Sequence, residues 1–520
     1  MATYNKQINS HIFTILAGTS RETYAYKNLY GYRNTFPNNY QYELVSGAAS
    51  TASNDGGLSE WALISFFGRA NYSFNDRYLL EANIRYDGSS RFSTKNRWGL
   101  FPSFSAGWRI SEENFWKNSN IKEVINNLKL RGSWGILGNQ NIGTYPYQQT
   151  YALGQNYPIG NPAALLSGAR LNTFNNSGIT WETTSVTDIG LDFNLFGGKL
   201  VGVVDYFYKY TYNILAAVQV TRIMGRTVGQ SNVGAVSNSG VEATLTYNGM
   251  VGKDFRFSIA PNFSYIKNAV EKLADGALTD INNSRIVGQP LGIIYGYTTN
   301  GLFVDQPEID AAPTQLVNNT GLKPGYVSYV DISGANGAPD GAVTATYDRS
   351  VIGCTTPKYY YGLNLTASYK GFYFSALLQG LGGYQRLIGS YMAYAFYNGG
   401  QIQRWQVDNR WTTDNPNKWA EYPRLETLNM NNTNLQTSDY WIRDASFLRL
   451  KNLQIGYTLP KSVVSMVGLQ NLSIFFSGQN LYNFTSFYKG WDPENQISTG
   501  DAPSFYPINS ILSFGFNAKF

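Results

Sequence analysis

Between Ile64 and Asp87 the chain alternates between apolar and polar residues, first as far as Phe74 and again from Tyr78 onward. A period of two predicts a β-strand, and a short polar turn between two such runs predicts an antiparallel hairpin. Each run has about ten residues, which is the length that a tilted strand needs to cross a bilayer. One face of the hairpin is apolar and the other carries charge. The pattern therefore fits a membrane barrel with its apolar face in lipid, or a soluble sandwich with that face inside.

The same alternation returns along the chain and predicts about fourteen strands of membrane length. Tight turns such as Gly197-Gly198 and Lys370-Gly371 join some strands, whereas long polar segments such as 139–177, 305–352 and 383–437 join others. Short periplasmic turns opposite long external loops are typical of membrane barrels, whereas a sandwich has more even spacing. The sequence therefore predicts an all-β fold, the antiparallel wall of a transmembrane β-barrel.

The two ends of the chain give further expectations. His11–Ser20 is predicted as the first strand, and residues 22–60 as a long loop with one possible strand extension. A short helix is predicted within residues 112–127. Met1–Gln7 is polar and resembles no secretory signal, so a barrel of this kind is expected to be a fragment. The last strand alternates and ends on Phe520, like the C-terminal strands of bacterial outer-membrane barrels.

Composition agrees with a barrel and excludes several other classes. Tyr (40), Phe (29) and Gly (52) are abundant, while charged residues make up only 14% of the 520 residues, below the usual quarter. No run of 18 apolar residues predicts a membrane helix. The net charge of +6 is spread out, so no nucleic-acid partner is expected. Cys354 and His11 are the single residues of their types, which argues against an intramolecular disulfide and against histidine-based chemistry. With no nucleophile–base pair or phosphate loop, no enzyme activity is expected.

Charged residues on the polar strand faces are candidates for the barrel lumen, where water and other charges surround them. Aromatic residues on the apolar faces are instead predicted to form the girdles at the membrane surfaces; they include Tyr206, Tyr208, Tyr247 and Tyr265. The predicted lumen-facing residues are Arg69, Glu81, Arg85, Arg131, Asp188, Asp192 and Glu242.

Two loop regions carry candidate binding residues. Aromatic rings stack on sugars and arginines donate to hydroxyls or carboxylates, so an aromatic, arginine-bearing loop predicts a substrate site. The alternative is that these side chains pack against a partner protein or the barrel rim. The candidates are Tyr394, Tyr397, Arg404, Trp405, Arg410, Trp411, Trp419, Tyr488 and Trp491.

The second region is the acidic loop Asp331–Asp340, with the sequence DISGANGAPD. Alternating oxygen ligands in such a loop suit Ca²⁺. The spacing of Asp331 and Asp340 departs from a calcium loop and no glutamate closes it, so a solvated turn is the competing interpretation. No other cofactor is expected.

Several blocks resemble the SusC/RagA-like TonB-dependent outer-membrane transporters of Bacteroidetes. They are LRGSWGILGNQNIG (130–143), FFGRANYSFNDRYLLEANIRYDGSSRF (66–92), WGLFPSFSAGWRISEENF (98–115), SDYWIRDASFLRLKNLQIGYTLP (438–460) and FFSGQNLYNFTSFYKGWDPE (475–494). The resemblance implies a barrel of about 22 strands in the outer membrane, filled by an N-terminal plug. It also implies a SusD-like lipoprotein lid, and import of oligosaccharides or peptides with energy from TonB.

The resemblance gives no counterpart here to the plug or to the N-terminal strands. Residues 1–520 are therefore expected to be the C-terminal portion of such a barrel, without a plug domain. An N-terminal part is expected to complete it and to connect it to TonB–ExbB–ExbD. The alternative is a secreted or surface carbohydrate-binding β protein, built as sandwiches or a propeller, in which the aromatic residues form sugar platforms.

Overall fold

The wall of the protein is one large antiparallel sheet. A computed structural model describes residues 1–218, 223, 227–317, 321–426, 433–488, 490–495 and 508–520. In this part of the chain 15 strands pair in chain order, each with the one before it and the one after. They are β1 (Ala2–Ile8), β2 (His11–Tyr32), β3 (Ser53–Phe74), β4 (Tyr78–Ser89), β5 (Trp98–Arg109), β6 (Ile125–Asn139), β7 (Glu182–Leu195), β8 (Leu200–Ala217), β9 (Gln230–Val251), β10 (Phe255–Lys272), β11 (Tyr359–Tyr369), β12 (Phe372–Gly382), β13 (Phe447–Thr458), β14 (Asn471–Thr485) and β15 (Ile511–Lys519).

The first hairpins differ from the expectation in length. A strand, β1, precedes the predicted first strand and pairs with β2 from Ala2↔Ala17 to Ile8↔His11. Strands β2 and β3 are 22 residues long each, and they stay paired up to Tyr32↔Ser53. The prediction of a loop over residues 22–60 is therefore wrong at both ends of that range, over residues 22–32 and 53–60, and holds between them. Tyrosines alternating with polar residues continue the strand pattern of β2 up to Tyr32.

Tight turns lie at one end of the sheet and long loops at the other. Gly197 and Gly198 have φ values of 69° and 83° in the turn between β7 and β8, a conformation that glycine adopts without steric cost. The predicted helix at this end is two four-residue helices, Asn114–Lys117 and Ile121–Val124, after a 3₁₀ turn at Ile110–Glu112. This asymmetry confirms the barrel topology over the sandwich or propeller, which would divide the strands into stacked sheets or blades.

The two faces of the sheet differ in the way that the alternation predicted. Phe66, Leu80, Phe104, Ile189 and Tyr206 lie on one face, and each leaves about half of its surface exposed. Such rows of exposed apolar residues are too extensive for a water-facing surface, but they suit a wall that contacts lipid. The apolar face is therefore the outer face of the wall.

The long loops contain their own short elements and buried cores. Helices there are Gln306–Ala311, Ser390–Ala393 and Arg404–Asp408, and Lys461–Val464 follows β13. None of the described helices has both the length and the apolar character needed to span a membrane. Remaining 3₁₀ turns are Leu44–Ser46, Ala49–Thr51, Ala274–Gly276, Ile281–Asn283, Tyr397–Gly399, Thr433–Leu435, Asp439–Trp441 and Ser465–Val467. Short strands are Tyr151–Leu153, Tyr157–Ile159, Ala164–Leu166, Ala169–Leu171, Thr173–Phe174, Thr227–Val228, Thr279–Asp280, Arg285–Ile286, Ile293–Tyr297, Thr299–Leu302, Thr314–Gln315, Val327–Tyr329, Ala342–Val343, Arg349–Cys354, Gln385–Leu387 and Ile442–Asp444.

Candidate functional site

Aromatic side chains from two loops, the one after β12 and the one after β14, pack together above the wall. This loop core consists of Tyr394, Trp405, Tyr422, Trp441 and Tyr488. Trp405 contacts Tyr422 and Tyr488 edge-to-face, with ring centroids 5.5 and 5.1 Å apart. Trp441 makes the same kind of contact with Tyr394 at 5.3 Å and with Tyr422 at 5.9 Å. Edge-to-face pairs at these distances are favourable packing, so the cluster joins the two loops into one body.

Polar atoms inside the loop core find partners. The Gln403 side chain accepts hydrogen bonds from Trp405 Nε1 at 2.9 Å and from the Tyr488 hydroxyl at 3.0 Å. The Tyr422 hydroxyl accepts from the Ala395 backbone amide at 2.9 Å. Burial raises the pKa of Tyr394 to about 12 and also raises the pKa of Tyr488. These phenols stay neutral at any physiological pH and act as packing and hydrogen-bonding groups.

The structure therefore divides the predicted substrate-binding residues into buried and exposed sets. Trp411 is 3% exposed and packs in a second cluster with Tyr297 and Tyr329. Trp419, by contrast, is 69% exposed, and the Arg404 side chain is 93% exposed while it pairs with Asp408.

The other candidates lie between these extremes. Tyr397 meets Tyr394 at 6.1 Å, Trp491 packs against the loop core, and Arg410 donates to the Val407 carbonyl. The structure brings Tyr394, Trp405 and Tyr488 together. Substrate binding by all of these residues stays a prediction.

A buried arginine fastens one of the loops to the wall. Arg449 on β13 is 2% exposed, and its Nη2 lies 2.6 Å from Asp492 Oδ1 while its Nη1 lies 2.6 Å from Glu494 Oε2. Lys451 adds a longer contact with Glu494 at 3.4 Å. Tyr384 donates to the Pro493 carbonyl at 3.1 Å. These bonds hold the segment that follows Tyr488 against the strand, so we call this group the arginine staple.

A charge network lies on the polar face of the wall. Arg131 on β6 contacts Asp188 at 3.0 Å and Asp192 at 3.1 Å on β7, and it also contacts Asp205 on β8. Gly190 is on β7 and pairs with Arg131 on β6 and with Asp205 on β8. A Cβ at Gly190 would come within 2.5 Å of the Arg131 guanidinium carbon. The missing side chain lets the guanidinium cross one strand to reach the next. Sequence analysis missed Asp205, although a charge between Val204 and Tyr206 was a usable signal.

The remaining predicted lumen residues share that face. Arg85 Nε donates a bifurcated hydrogen bond to the two carboxylate oxygens of Asp87 at 2.8 and 2.9 Å, and Glu81 accepts from Asn83 at 2.8 Å. Arg69 pairs in register with Asn83, and Glu242 with Asp205. The predicted girdle residues Tyr206, Tyr208, Tyr247 and Tyr265 lie on the opposite, outer face and are exposed. Both assignments follow the alternation, and a place in a closed lumen remains a prediction.

The acidic loop is closed by its own backbone. Asp331 accepts from the Gly341 amide at 2.7 Å and Asp340 from the Ala342 amide at 3.1 Å. Asp348 is fully buried and accepts from the Ile332 amide at 2.9 Å, as well as from Ser333 and Thr344.

Burial alone would raise the pKa of Asp348, but these amide hydrogen bonds lower it. Among the described residues no three His, Cys, Asp or Glu side chains are grouped to hold a metal. The loop therefore fits a hydrogen-bonded turn better than a calcium site, and calcium binding stays an untested prediction.

Taken together, the antiparallel wall with its apolar outer face, short turns and long loops has the architecture of an outer-membrane β-barrel. Residues 2–481 match the family model described as TonB dependent receptor-like, beta-barrel. The chain belongs to this family, whose members lie in the outer membrane.

Relatives refine the family. TonB-dependent receptor P3 of Formosa agariphila is 31% identical over 540 residues, covering 100% of this chain and 51% of its own length. TonB-dependent receptor SusC of Bacteroides thetaiotaomicron is 30% identical, covering 88% of this chain and 44% of its own length. The chain is also similar to the solved structure of the RagAB peptide importer in the closed-closed state, with a TM-score of 0.81 and 26% identity. The superposition covers 100% of this chain and 55% of that chain. The resemblance to SusC/RagA-like transporters is confirmed, and the chain spans about half the length of these relatives.

Proposed function

We propose that the chain forms the C-terminal wall and external loops of a TonB-dependent importer that takes up oligosaccharides or peptides. The observation that carries the proposal is the single sheet with an apolar outer face, a charged inner face and long loops at one end. A transporter of this class has no need of catalytic groups, and we propose transport in place of an enzyme activity. The RagAB relative is titled a peptide importer, which supports peptides as one substrate class.

We also propose that an N-terminal part completes the barrel and carries the plug. In the described part of the chain, β1 and β15 are not paired with each other. Each unpaired backbone group in lipid costs several kcal/mol, so further strands at both edges would stabilise the wall. That N-terminal part would make the connection to TonB–ExbB–ExbD, and a SusD-like lipoprotein would cover the external loops.

The test is uptake in cells. Deletion of the gene, or of TonB, is expected to abolish growth on the imported nutrient, and an affinity tag on this chain is expected to recover a lipoprotein from detergent extracts. Normal growth of the deletion strain on every oligosaccharide and peptide source that the parent uses would contradict the proposal.

A further inference from the structure

The hairpin of β2 and β3 extends far beyond the membrane. Crossing a bilayer takes about ten residues, so roughly half of each 22-residue strand, about 35 Å, stands outside it. The last pair that β2 forms with β1 is Ala17↔Ala2, and the last pair that β3 forms with β4 is Leu63↔Ser89. Beyond those pairs β2 and β3 stay paired with each other up to Tyr32↔Ser53. At the base of this stretch Ala62 exchanges hydrogen bonds with Ser90, and Arg91 lies over the Trp61 ring.

One face of this extended part of the hairpin is lined with tyrosines. Tyr24, Tyr26, Tyr30 and Tyr32 alternate along β2, and Trp61 lies on β3 directly opposite Tyr24. The rings of Tyr24 and Trp61 are 5.8 Å apart and within 20° of parallel, and those of Tyr30 and Tyr32 are 6.3 Å apart and within 13°. Each of the four tyrosines keeps 44–53% of its surface exposed. We call these five residues the tyrosine ladder.

The ladder lies on the inner side of the wall. Trp61 and Arg69 are eight positions apart along the unbroken strand β3. Because side chains alternate with a period of two, both point to the same face. That face is the polar one, opposite Phe66. In the barrel of the proposed function, the ladder is therefore continuous with the lumen surface at its external end.

The chemistry of this face is aromatic and polar. From Glu22 to Tyr32 and from Ser53 to Trp61 its other residues carry two carboxylates and no aliphatic side chain; they are Glu22, Asn28, Ser53, Asp55, Gly57 and Ser59. A protein-docking surface would be expected to bury aliphatic groups as well, and here Leu29 and Leu58 lie on the opposite face.

The nearby cations are engaged or face elsewhere. Arg91 stacks over the Trp61 ring at 5.1 Å and donates to the Ile142 carbonyl. Arg21 and Lys27 lie on the opposite face of β2. The ladder therefore offers no free arginine or lysine for the carboxylates or sulfates of a charged glycan.

We propose that the tyrosine ladder binds a neutral oligosaccharide at the entrance of the transporter. The C–H faces of sugar rings pack on aromatic rings, while the phenol hydroxyls, Asn28 and Ser59 can exchange hydrogen bonds with sugar hydroxyls. Trp405 in the loop core and Trp411 in the second cluster cannot offer their rings in this way, because packing engages them. This inference rests on the proposed function and names its substrate class.

The test uses the complete transporter, purified in detergent with its N-terminal part, and isothermal titration with defined probes. The neutral probes are maltohexaose, cellohexaose and mannohexaose; hexagalacturonate and hexaalanine are the charged-glycan and peptide probes. We expect binding of a neutral hexasaccharide, and a loss of about tenfold or more in affinity when Tyr24→Ala and Tyr30→Ala are combined. The pair Tyr24→Phe and Tyr30→Phe should retain most of the affinity, because the rings remain.

A matched control changes the other face of the same strand. Lys27→Ala combined with Leu29→Ala should leave the affinity within about twofold. The proposal is overturned if no neutral probe binds, if the alanine pair binds as well as the parent, or if hexagalacturonate or hexaalanine is the probe that depends on the ladder. Loss of uptake on deletion of the gene supports the proposed import function whether or not the ladder binds sugar. Failure of the ladder proposal is therefore distinguishable from failure of the proposed function.

Discussion

Removing the arginine staple should release the external segment that follows Tyr488. Arg449→Ala leaves Asp492 and Glu494 without the guanidinium that lies 2.6 Å from each. Breaking a buried ion pair from one side typically costs about 3–5 kcal/mol. Because the two carboxylates are 19% and 20% exposed and Lys451 still contacts Glu494, we expect the low end, about 3 kcal/mol.

This free energy predicts a measurable change in local opening. A cost of about 3 kcal/mol corresponds to roughly a hundredfold larger open population. Hydrogen exchange followed by mass spectrometry should show that increase in the backbone amides of residues 490–495, while the strand amides of β8 keep their protection.

The control is Lys451→Ala, which removes the more exposed, 3.4 Å contact and should cost less than about 1 kcal/mol. Unchanged exchange in Arg449→Ala, or equal effects of the two variants, would refute the reasoning.

Three further predictions test other parts of the structure. Asp348→Asn should destabilise the acidic loop by about 1–3 kcal/mol, because hydrogen bonds from backbone amides are lost. The pKa of Asp348 in the folded protein lies below the ordinary 3.8, so the parent should keep this stabilisation above pH 3.8 and lose it as the pH falls below that value. Hydrogen exchange at two pH values checks this. Gly190→Ala should disrupt the charge network and lower the temperature at which heat-modifiable gel migration is lost. The control Gly132→Ala should leave that temperature unchanged, because its Cβ would meet only a carbonyl oxygen at 3.9 Å. The same temperature for both variants would contradict this. Trp405→Ala should cost about 3–5 kcal/mol of loop-core stability and Trp419→Ala within about 0.5 kcal/mol, as limited proteolysis of the loops should show; equal digestion rates would disprove the packing role.

Alternation along the chain was enough to predict the wall. The hairpin around Ile64–Asp87 has the predicted register, and the outer aromatic residues lie on the predicted face, because a period of two leaves no other arrangement. The same alternation could not predict how far the strands extend beyond the membrane. Residues 22–60 are polar and tyrosine-rich, a composition that loops and solvated strands share, so the outer part of the β2–β3 hairpin, residues 22–32 and 53–60, was predicted as a loop.

The candidate site was harder to predict, because composition does not report burial. Trp405, Trp411 and Trp419 lie within fifteen residues of one another, yet two of them pack in loop cores and one is exposed. Contacts with distant segments decide this: Trp405 meets Tyr488, which lies 83 residues later in the sequence. Local pattern carries no information about such contacts, so the burial of Trp405 and the exposure of Trp419 follow only from the folded structure.

The central claim is that the apolar face of the wall contacts lipid. It is tested most directly by Leu80→Cys and Glu81→Cys in the complete transporter with Cys354→Ser, each labelled with a fluorophore and reconstituted with brominated lipids. The account predicts strong quenching at position 80 and little at position 81. Equal quenching, or stronger quenching at position 81, would contradict it.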